Sequence, residues 1–290
     1  SQVRAALCRD DLLVIVHEQV MTPTARFADL LLPATTFLEN KDVYSSYGHF
    51  YLGVVDKVVD PVGEAMSNFD FFQEFARRMG YDSEPFTQNL EERISSYVTT
   101  IKGIPGDYFD GWDGGTTAYI ESIYNDPAKA VLKRGSTRFR FVNEDEPAIP
   151  SFACLTKSTE FDHPDLLSRF PLKLITPPDD KLLNSTFGEL YRDRIGRVLI
   201  HPADAKRHGV VDGGDVCLSN FRGRTIRKAK VTDRTQEGLL VAEGIYWPPE
   251  EGEGGGINDL ISQKCSDVGE GPLFHESRVR IEQATGDNRC

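Results

Sequence analysis

Two rhythms of apolar and polar positions divide this chain. The first part is built of continuous apolar runs and helical spacings. From Leu172 onward, short stretches alternate in the period of strands. Leu12-Leu13-Val14-Ile15-Val16 is an unbroken apolar run, as a parallel strand buried on both faces requires. His17, Glu18 and Gln19 follow it at the expected carboxyl end. Thr22-Pro23-Thr24 reads as the start of a short helix, with proline near the first turn. A second strand over residues 28–32 stops at Pro33.

Further on, Ser67 and Asp70 form a capping-box-like pair. Phe69, Phe72, Phe75, Ala76 and Met79 recur near helical period, so the spacing predicts a helix that ends at Gly80 and turns its phenylalanines to the core. Leu90, Ile94, Tyr97, Val98 and Ile101 predict a second helix. Residues 103–171 lack a sustained period. Tyr108, Phe109 and Trp112 read there as loop anchors, and Arg138-Phe139-Arg140-Phe141 alternates like a strand.

Beyond that point, strands are predicted over 172–175, 198–200, 215–219, 225–231, 239–243 and 279–282, separated by glycine-rich turns. One short helix, 203–207, starts after Pro202 and ends at Gly209. Six short strands with tight turns describe a small closed β-barrel. The expected architecture is thus an α/β remnant with parallel strands, Rossmann-like, over 1–63, a helical and irregular connection over 64–170, and the barrel over 171–290. The chain opens on Ser1 and runs almost at once into a strand, as if it began within a longer protein.

Composition narrows the function. With 290 residues, 39% apolar and 10% aromatic, the chain can build real cores. A net charge of −12 argues against nucleic acid or an anionic membrane as partner, since both are bound through basic surface. No apolar run approaches the roughly 18 residues of a membrane helix, so direct membrane insertion is not expected. The five cysteines include no C-x-x-C pair, and the closest two, Cys265 and Cys290, lie twenty-five residues apart. Such scatter fits reduced thiols and a cytoplasmic setting, with Cys217 a small core residue. Any export signal would lie upstream.

Chemistry concentrates in a few words of sequence. Thr176-Pro177-Pro178-Asp179-Asp180 forces a turn at the end of a strand, and Asn184, Ser185 and Thr186 follow with amide and hydroxyl groups. A flat heterocycle edge and a diphosphate both need such donors. Asn258 stands behind Gly254-Gly255-Gly256, where a loop can approach a flat ligand, and His275 comes seventeen residues later. Glu18 sits where open α/β sheets bind nucleotides, able to accept hydrogen bonds from a guanine edge or ribose hydroxyls. His201 and His208 have no partner at metal or triad spacing and read as structural.

In this order and spacing, I-T-P-P-D-D-K-L-L-N-S-T-F-G, I-H-P-A-D-A-K-R-H-G, N-F-R-G and G-G-I-N-D-L resemble the C-terminal barrel of the molybdopterin oxidoreductases, the dimethyl sulfoxide reductase family. T-A-R-F-A-D-L-L-L-P-A-T-T-F-L-E and G-E-A-M-S-N resemble that family's guanosine-binding domain. The resemblance covers about residues 12–80 and 172–283. It implies a double-psi-type barrel and two molybdopterin guanine dinucleotides chelating one molybdenum or tungsten. The activity implied is oxygen-atom or two-electron transfer to a small-molecule redox substrate, with an electron-transfer subunit as a possible partner.

The cofactor contacts implied are Thr176, Pro177, Pro178, Asn184, Ser185, Thr186, Asn258 and His275 in the barrel, and His17, Glu18 and Asn68 in the first segment. Asp29 and Glu39 are expected to fix turns at the sheet edge. No catalytic residue and no metal ligand is expected within this chain. The family's metal ligand and its iron–sulfur cysteine motif would lie before Ser1. Many relatives carry lysine where this chain has Asn40, which weakens a charge role there. The rival reading is a stand-alone double-psi barrel acting as a binding module without redox activity. A nucleotide-dependent enzyme is disfavoured by the lack of G-x-G-x-x-G or a P-loop.

Overall fold

The computed structural model describes residues 2–45, 47, 51–101, 117–119, 164–191, 195–248, 255–265 and 271–284. The chain divides into two compact units, Gln2–Phe139 and Arg140–Cys290. The predicted strand-like alternation at 138–141 and the loop anchors Tyr108, Phe109 and Trp112 lie outside the described residues.

In the first unit, helix α1 (Gln2–Leu7) precedes strand β1 (Ile15–Glu18). β1 pairs in parallel with β2 (Leu30–Pro33), from Ile15 opposite Leu30 to Glu18 opposite Pro33. The start of β1 is fixed by a side chain, because Asp29 accepts the Val14 amide at 2.8 Å. This corrects the first predicted strand. It lies later than residues 12–16, and His17 and Glu18 are inside it. Val14 is buried, whereas Leu12, Leu13 and Ile15 are exposed, so the run is not covered on both faces here. The expected helix after Thr24 is a single 3₁₀ turn, Ala25–Phe27, because β2 begins only three residues later.

A second 3₁₀ turn, Phe37–Glu39, is closed by a capping box. Glu39 accepts the Thr36 amide at 2.6 Å and, from outside the turn, the Val62 amide at 2.9 Å. Glu39 therefore fixes a turn as expected, whereas Asp29 fixes the start of β1 instead. Asn40 is occupied locally as well, donating to the Thr36 carbonyl and accepting the Thr35 hydroxyl.

Helix α2 (Asn68–Arg78) starts at Ser67, whose hydroxyl accepts the Asp70 amide at 3.0 Å. Of its predicted core face only Ala76 is buried, and Phe72, Phe75 and Met79 are exposed. The apolar period was right for a helix. Burial needs a covering layer, and none of the described elements of this unit supplies one over those rings.

Pattern reading missed a hairpin, β3 (Asp42–Ser45) with β4 (Tyr51–Val55), extended by β5 (Thr117–Tyr119). Leu52 and Val54 on its inner face pack with Ile94 and Val98 of α3 (Leu90–Thr99), the second predicted helix.

The second unit opens with helix α4 (Pro164–Arg169) and contains a closed six-stranded barrel. Its strands are β6 (Leu172–Ile175), β7 (Arg197–Ile200), β8 (Asp215–Ser219), β9 (Arg224–Val231), β10 (Leu239–Val241) and β11 (Ser277–Gln283). The spatial order is β10-β6-β11-β8-β9-β7. β10–β6 and β7–β9 are parallel; the other pairs are antiparallel. All six strands match predicted ones to within a few residues.

Leu172, Leu174, Val198, Ile200, Leu218, Leu240, Ile257, Leu260 and Ile281 fill the interior. Each contributes roughly 1.5–3 kcal/mol by leaving water. Helix α5 (Pro202–His208) plugs one side. Its cap is His201, which accepts the Ala203 amide at 3.3 Å, and Gly209 ends it in the left-handed region at φ 65°. His201 is thus structural, as expected. Asp204 is fully buried, pairs with Arg207 and accepts the Gly238 amide at 2.6 Å.

The β8–β9 turn is tied by Asn220, which accepts the Arg222 amide at 2.9 Å and donates to the Leu260 carbonyl at 2.8 Å. Cys217 is buried in β8, as expected for a core residue, but it is disulfide-bonded, which corrects the reading of uniformly reduced thiols. Cys8 and Cys265 are free and exposed.

Candidate functional site

The loop that leaves β6 carries most of the predicted contacts. Its first residue is anchored twice. The Thr176 amide donates to His275 Nδ1 at 3.2 Å, and the Thr176 hydroxyl donates to the Phe274 carbonyl at 3.2 Å. An amide can only donate, so Nδ1 is the unprotonated nitrogen and the ring proton sits on Nε2. His275 is exposed, so the Nε2–H is available to a ligand. The structure therefore brings together two predicted site residues ninety-nine positions apart.

The rest of the loop is held from behind. The Pro177 carbonyl accepts the Gly244 amide at 3.0 Å. Asp179 accepts the Lys181 amide at 2.8 Å and the Tyr246 hydroxyl at 2.9 Å. Partial burial works to raise the Asp179 pKa, but the hydrogen bonds from Lys181 and Tyr246 outweigh it and hold the carboxyl below its ordinary value. Asn184 and Ser185 are the centre of a turn closed by Thr186 N to the Leu183 carbonyl at 3.0 Å, with Asn184 at φ 56°. Asparagine tolerates that left-handed conformation better than most residues. Trp247 Nε1 donates to the Ser185 carbonyl at 2.8 Å. Its ring lies over Gly188, where an added Cβ would fall 2.2 Å from Nε1.

Asn184, Ser185 and Thr186 are exposed, and no hydrogen bond among the described residues engages their side chains. Asn258 lies in a 3₁₀ turn, Ile257–Leu260, with its amide exposed. No hydrogen bond joins Asn258 to the 176–186 loop among the described residues. Glu276, beside His275, has its carboxyl pKa raised by burial. The arrangement is a rigid rim of amides, hydroxyls and one imidazole N–H, supported by buried carbon. It suits a flat, polar-edged ligand with a diphosphate. Among the described residues no cluster of three or more His, Cys, Asp or Glu could hold a metal ion.

Sequence reasoning missed Tyr246 and Trp247, which position this rim. The available signal was the adjacent pair of aromatics two residues after Gly244, where a strand-rich sequence has no need of exposed rings.

In the first unit, His17 and Asn68 come together. His17 Nδ1 lies 3.0 Å from the Asn68 side-chain oxygen and Nε2 lies 3.1 Å from the Pro33 carbonyl. The ring stacks on Phe71 at 4.4 Å. Both ring nitrogens are occupied, so His17 positions the β1 end and the α2 start. Glu18 is half-buried; its carboxylate accepts the following Gln19 amide at 2.8 Å. It follows His17 in β1, so its side chain leaves the strand on the opposite face.

Comparison with known proteins identifies the family. The family described as the molydopterin dinucleotide binding domain matches residues 172–278, and that described as molybdopterin oxidoreductase matches residues 1–78. The chain therefore belongs to the molybdopterin oxidoreductases of the dimethyl sulfoxide reductase family. The probable oxidoreductase YoaE of Bacillus subtilis is 30% identical over 98% of this chain and 42% of its own length. The dimethyl sulfoxide/trimethylamine N-oxide reductase of Rhodobacter capsulatus is 28% identical over 82% of this chain and 33% of its own. Among solved structures, acetylene hydratase from Pelobacter acetylenicus matches 94% of this chain and 40% of its own, with TM-score 0.68 and 22% identity, which supports the fold. The chain thus spans less than half the length of these relatives. Matches at both ends disfavour the stand-alone barrel, which has no need of the 1–78 segment. No helix of the described residues is long and apolar enough to cross a membrane.

Proposed function

We propose that this chain is the cofactor-gripping part of a molybdenum or tungsten oxidoreductase that works with the remaining length its relatives carry. The observation that carries the reading is the rim at the end of β6, with Thr176 locked to His275 and Trp247 locked to Ser185. Free donors stand on Asn184, Ser185, Thr186 and His275 Nε2 around it, and Asn258 is exposed in its own turn. These residues fit the group tested against them, a molybdopterin guanine dinucleotide. The loop's amides and hydroxyls face a pterin edge, and Pro177 and Pro178 keep the loop stiff. When bound, that group supplies the metal and the two-electron chemistry. This chain's residues bind it, orient it and keep its edge in a fixed hydrogen-bonding frame.

His17, Glu18 and Asn68 hold a guanosine end in the same reading. Glu18 accepts from the base or ribose, and the His17–Asn68 bond sets its place. The parallel β1–β2 pair is read as the edge of a Rossmann-like sheet. The two parallel pairs of the barrel are read as double-psi winding. A small-molecule redox substrate and an electron-transfer subunit complete the proposal; cytoplasmic residence belongs to it as well.

The test is a viologen-coupled redox assay on the full-length protein from two hosts, one able and one unable to make the pterin cofactor. Turnover of S-oxides, N-oxides or other oxygen-atom substrates only from the competent host is the expected result. Equal turnover from both hosts would overturn the reading.

A further inference from the structure

One cation in the barrel has no anionic counterpart among the described residues. Arg227 points inward from β9 between Thr225 and Ala229 and is 2% exposed. Its Nε and Nη2 are buried and make no hydrogen bond. These are not arbitrary donors: Nε and Nη2 form the side-on edge of the guanidinium, the edge that takes a carboxylate or phosphate through two parallel bonds. The other end of the group is in contact with structure. A Cβ at Gly196 would lie 2.2 Å from Nη1 and 2.6 Å from the Tyr246 ring, so that glycine leaves the space the arginine and tyrosine occupy. The guanidinium carbon stands 6.0 Å from the Tyr246 ring centre, at the outer limit of a cation–π contact, which is weaker than pairing with an anion.

Burial without a partner pushes the Arg227 pKa down to about 10, which still leaves it charged at neutral pH. A fully buried, unpaired charge is costly and is not kept for stability alone. Tyr246, the neighbouring ring, is the residue whose hydroxyl holds Asp179 in the cofactor-facing loop. Arg227 therefore lies one side chain behind that loop.

We propose that the Nε–Nη2 edge of Arg227 is a binding site for an oxyanion of the bound group, its diphosphate. This rests on the function proposed above and adds a residue that neither the sequence words nor the exposed rim contains.

The test uses Arg227→Met and Arg227→Lys in the full-length protein, made with and without cofactor. Two quantities are read: the melting temperature of the cofactor-free protein, and guanine dinucleotide retained after gel filtration of the loaded one. An anion site predicts opposite signs. Arg227→Met melts higher than wild type without cofactor, since an unpaired charge is gone, yet retains roughly tenfold less dinucleotide, as expected for loss of a bidentate charge-assisted contact. Arg227→Lys keeps the charge without the fork and also retains less. A purely structural arginine predicts a lower melting temperature for Arg227→Met, and that result, or undiminished retention in a loaded protein, overturns the proposal. If the wild type itself carries no dinucleotide from a competent host, the function reading fails and this inference falls with it.

Discussion

The Thr176 amide donates to His275 Nδ1 at 3.2 Å, and this bond ties the loop after β6 to the segment entering β11. It does two things at once. It fixes the tautomer of an exposed imidazole, and it sets the first residue of the loop proposed to face the cofactor. His275→Ala should remove about 1 kcal/mol of stability, the usual net worth of one hydrogen bond. His275→Asn offers an oxygen near the place of Nδ1 and should restore part of it. Urea unfolding of the three proteins checks this; equal midpoints for all three would show the bond contributes nothing.

Trp247 clamps the same loop from the other side, through Ser185 and across Gly188. Gly188→Ala should cost about 1–3 kcal/mol, because its Cβ would overlap the indole that the Ser185 bond holds in place. Trp247→Phe should leave the barrel folded but speed hydrogen exchange at the Thr186 amide. Unchanged exchange at that amide would remove Trp247 from the positioning role.

Asp204 is a buried carboxylate satisfied by Gly238 and Arg207. Asp204→Ala leaves the buried Gly238 amide without its acceptor, while Arg207 keeps Glu237, and should destabilise the barrel by about 1–3 kcal/mol. Thermal melts of the variant read the loss directly, and a shift within error would show the pair to be dispensable.

Acid sensitivity should have one source in the first unit. The Thr36 amide, then the Thr36 hydroxyl and the Val62 amide, hold the Glu39 carboxyl below its ordinary value. A carboxylate with a depressed folded pKa stabilises the fold above its unfolded value, near 4.3 for glutamate. That stability is lost as pH falls through the folded pKa. Glu39→Gln should therefore lower stability at neutral pH and flatten the stability curve below about pH 4. A variant curve parallel to wild type through that window would contradict the assignment.

Asn258 presents an exposed amide in its 3₁₀ turn. Asn258→Asp replaces donors with a charge facing a polyanionic ligand. It should weaken cofactor retention in the full-length protein while leaving the melting temperature of the cofactor-free form unchanged. Equal metal content after purification would remove Asn258 from the site.

Much of this was legible in the residues. The barrel's strands alternate cleanly because one face is core and the other is not, so Leu172, Leu174, Val198, Ile200, Val279 and Ile281 are all buried as their period demands. Turn chemistry was legible too, since Pro202, Gly209 and Asn220 have few other uses. What escaped was set by contacts remote in sequence. Asp29 reaches back fifteen residues to Val14 and moves the start of β1. Phe72 and Phe75 have helical period but no covering layer among the described elements. Tyr246 and Trp247 act on residues more than sixty positions away. Arg227 carried no signal at all, because a strand's alternating basic residue reads as solvated until its burial is seen.

The central claim is that these residues grip a molybdopterin guanine dinucleotide. Elemental analysis and oxidised-pterin fluorescence of the full-length protein, from a host able to make the cofactor, test it most directly. Stoichiometric molybdenum or tungsten together with guanine dinucleotide is the predicted result. Protein that is folded, yet free of metal and pterin, would contradict the account.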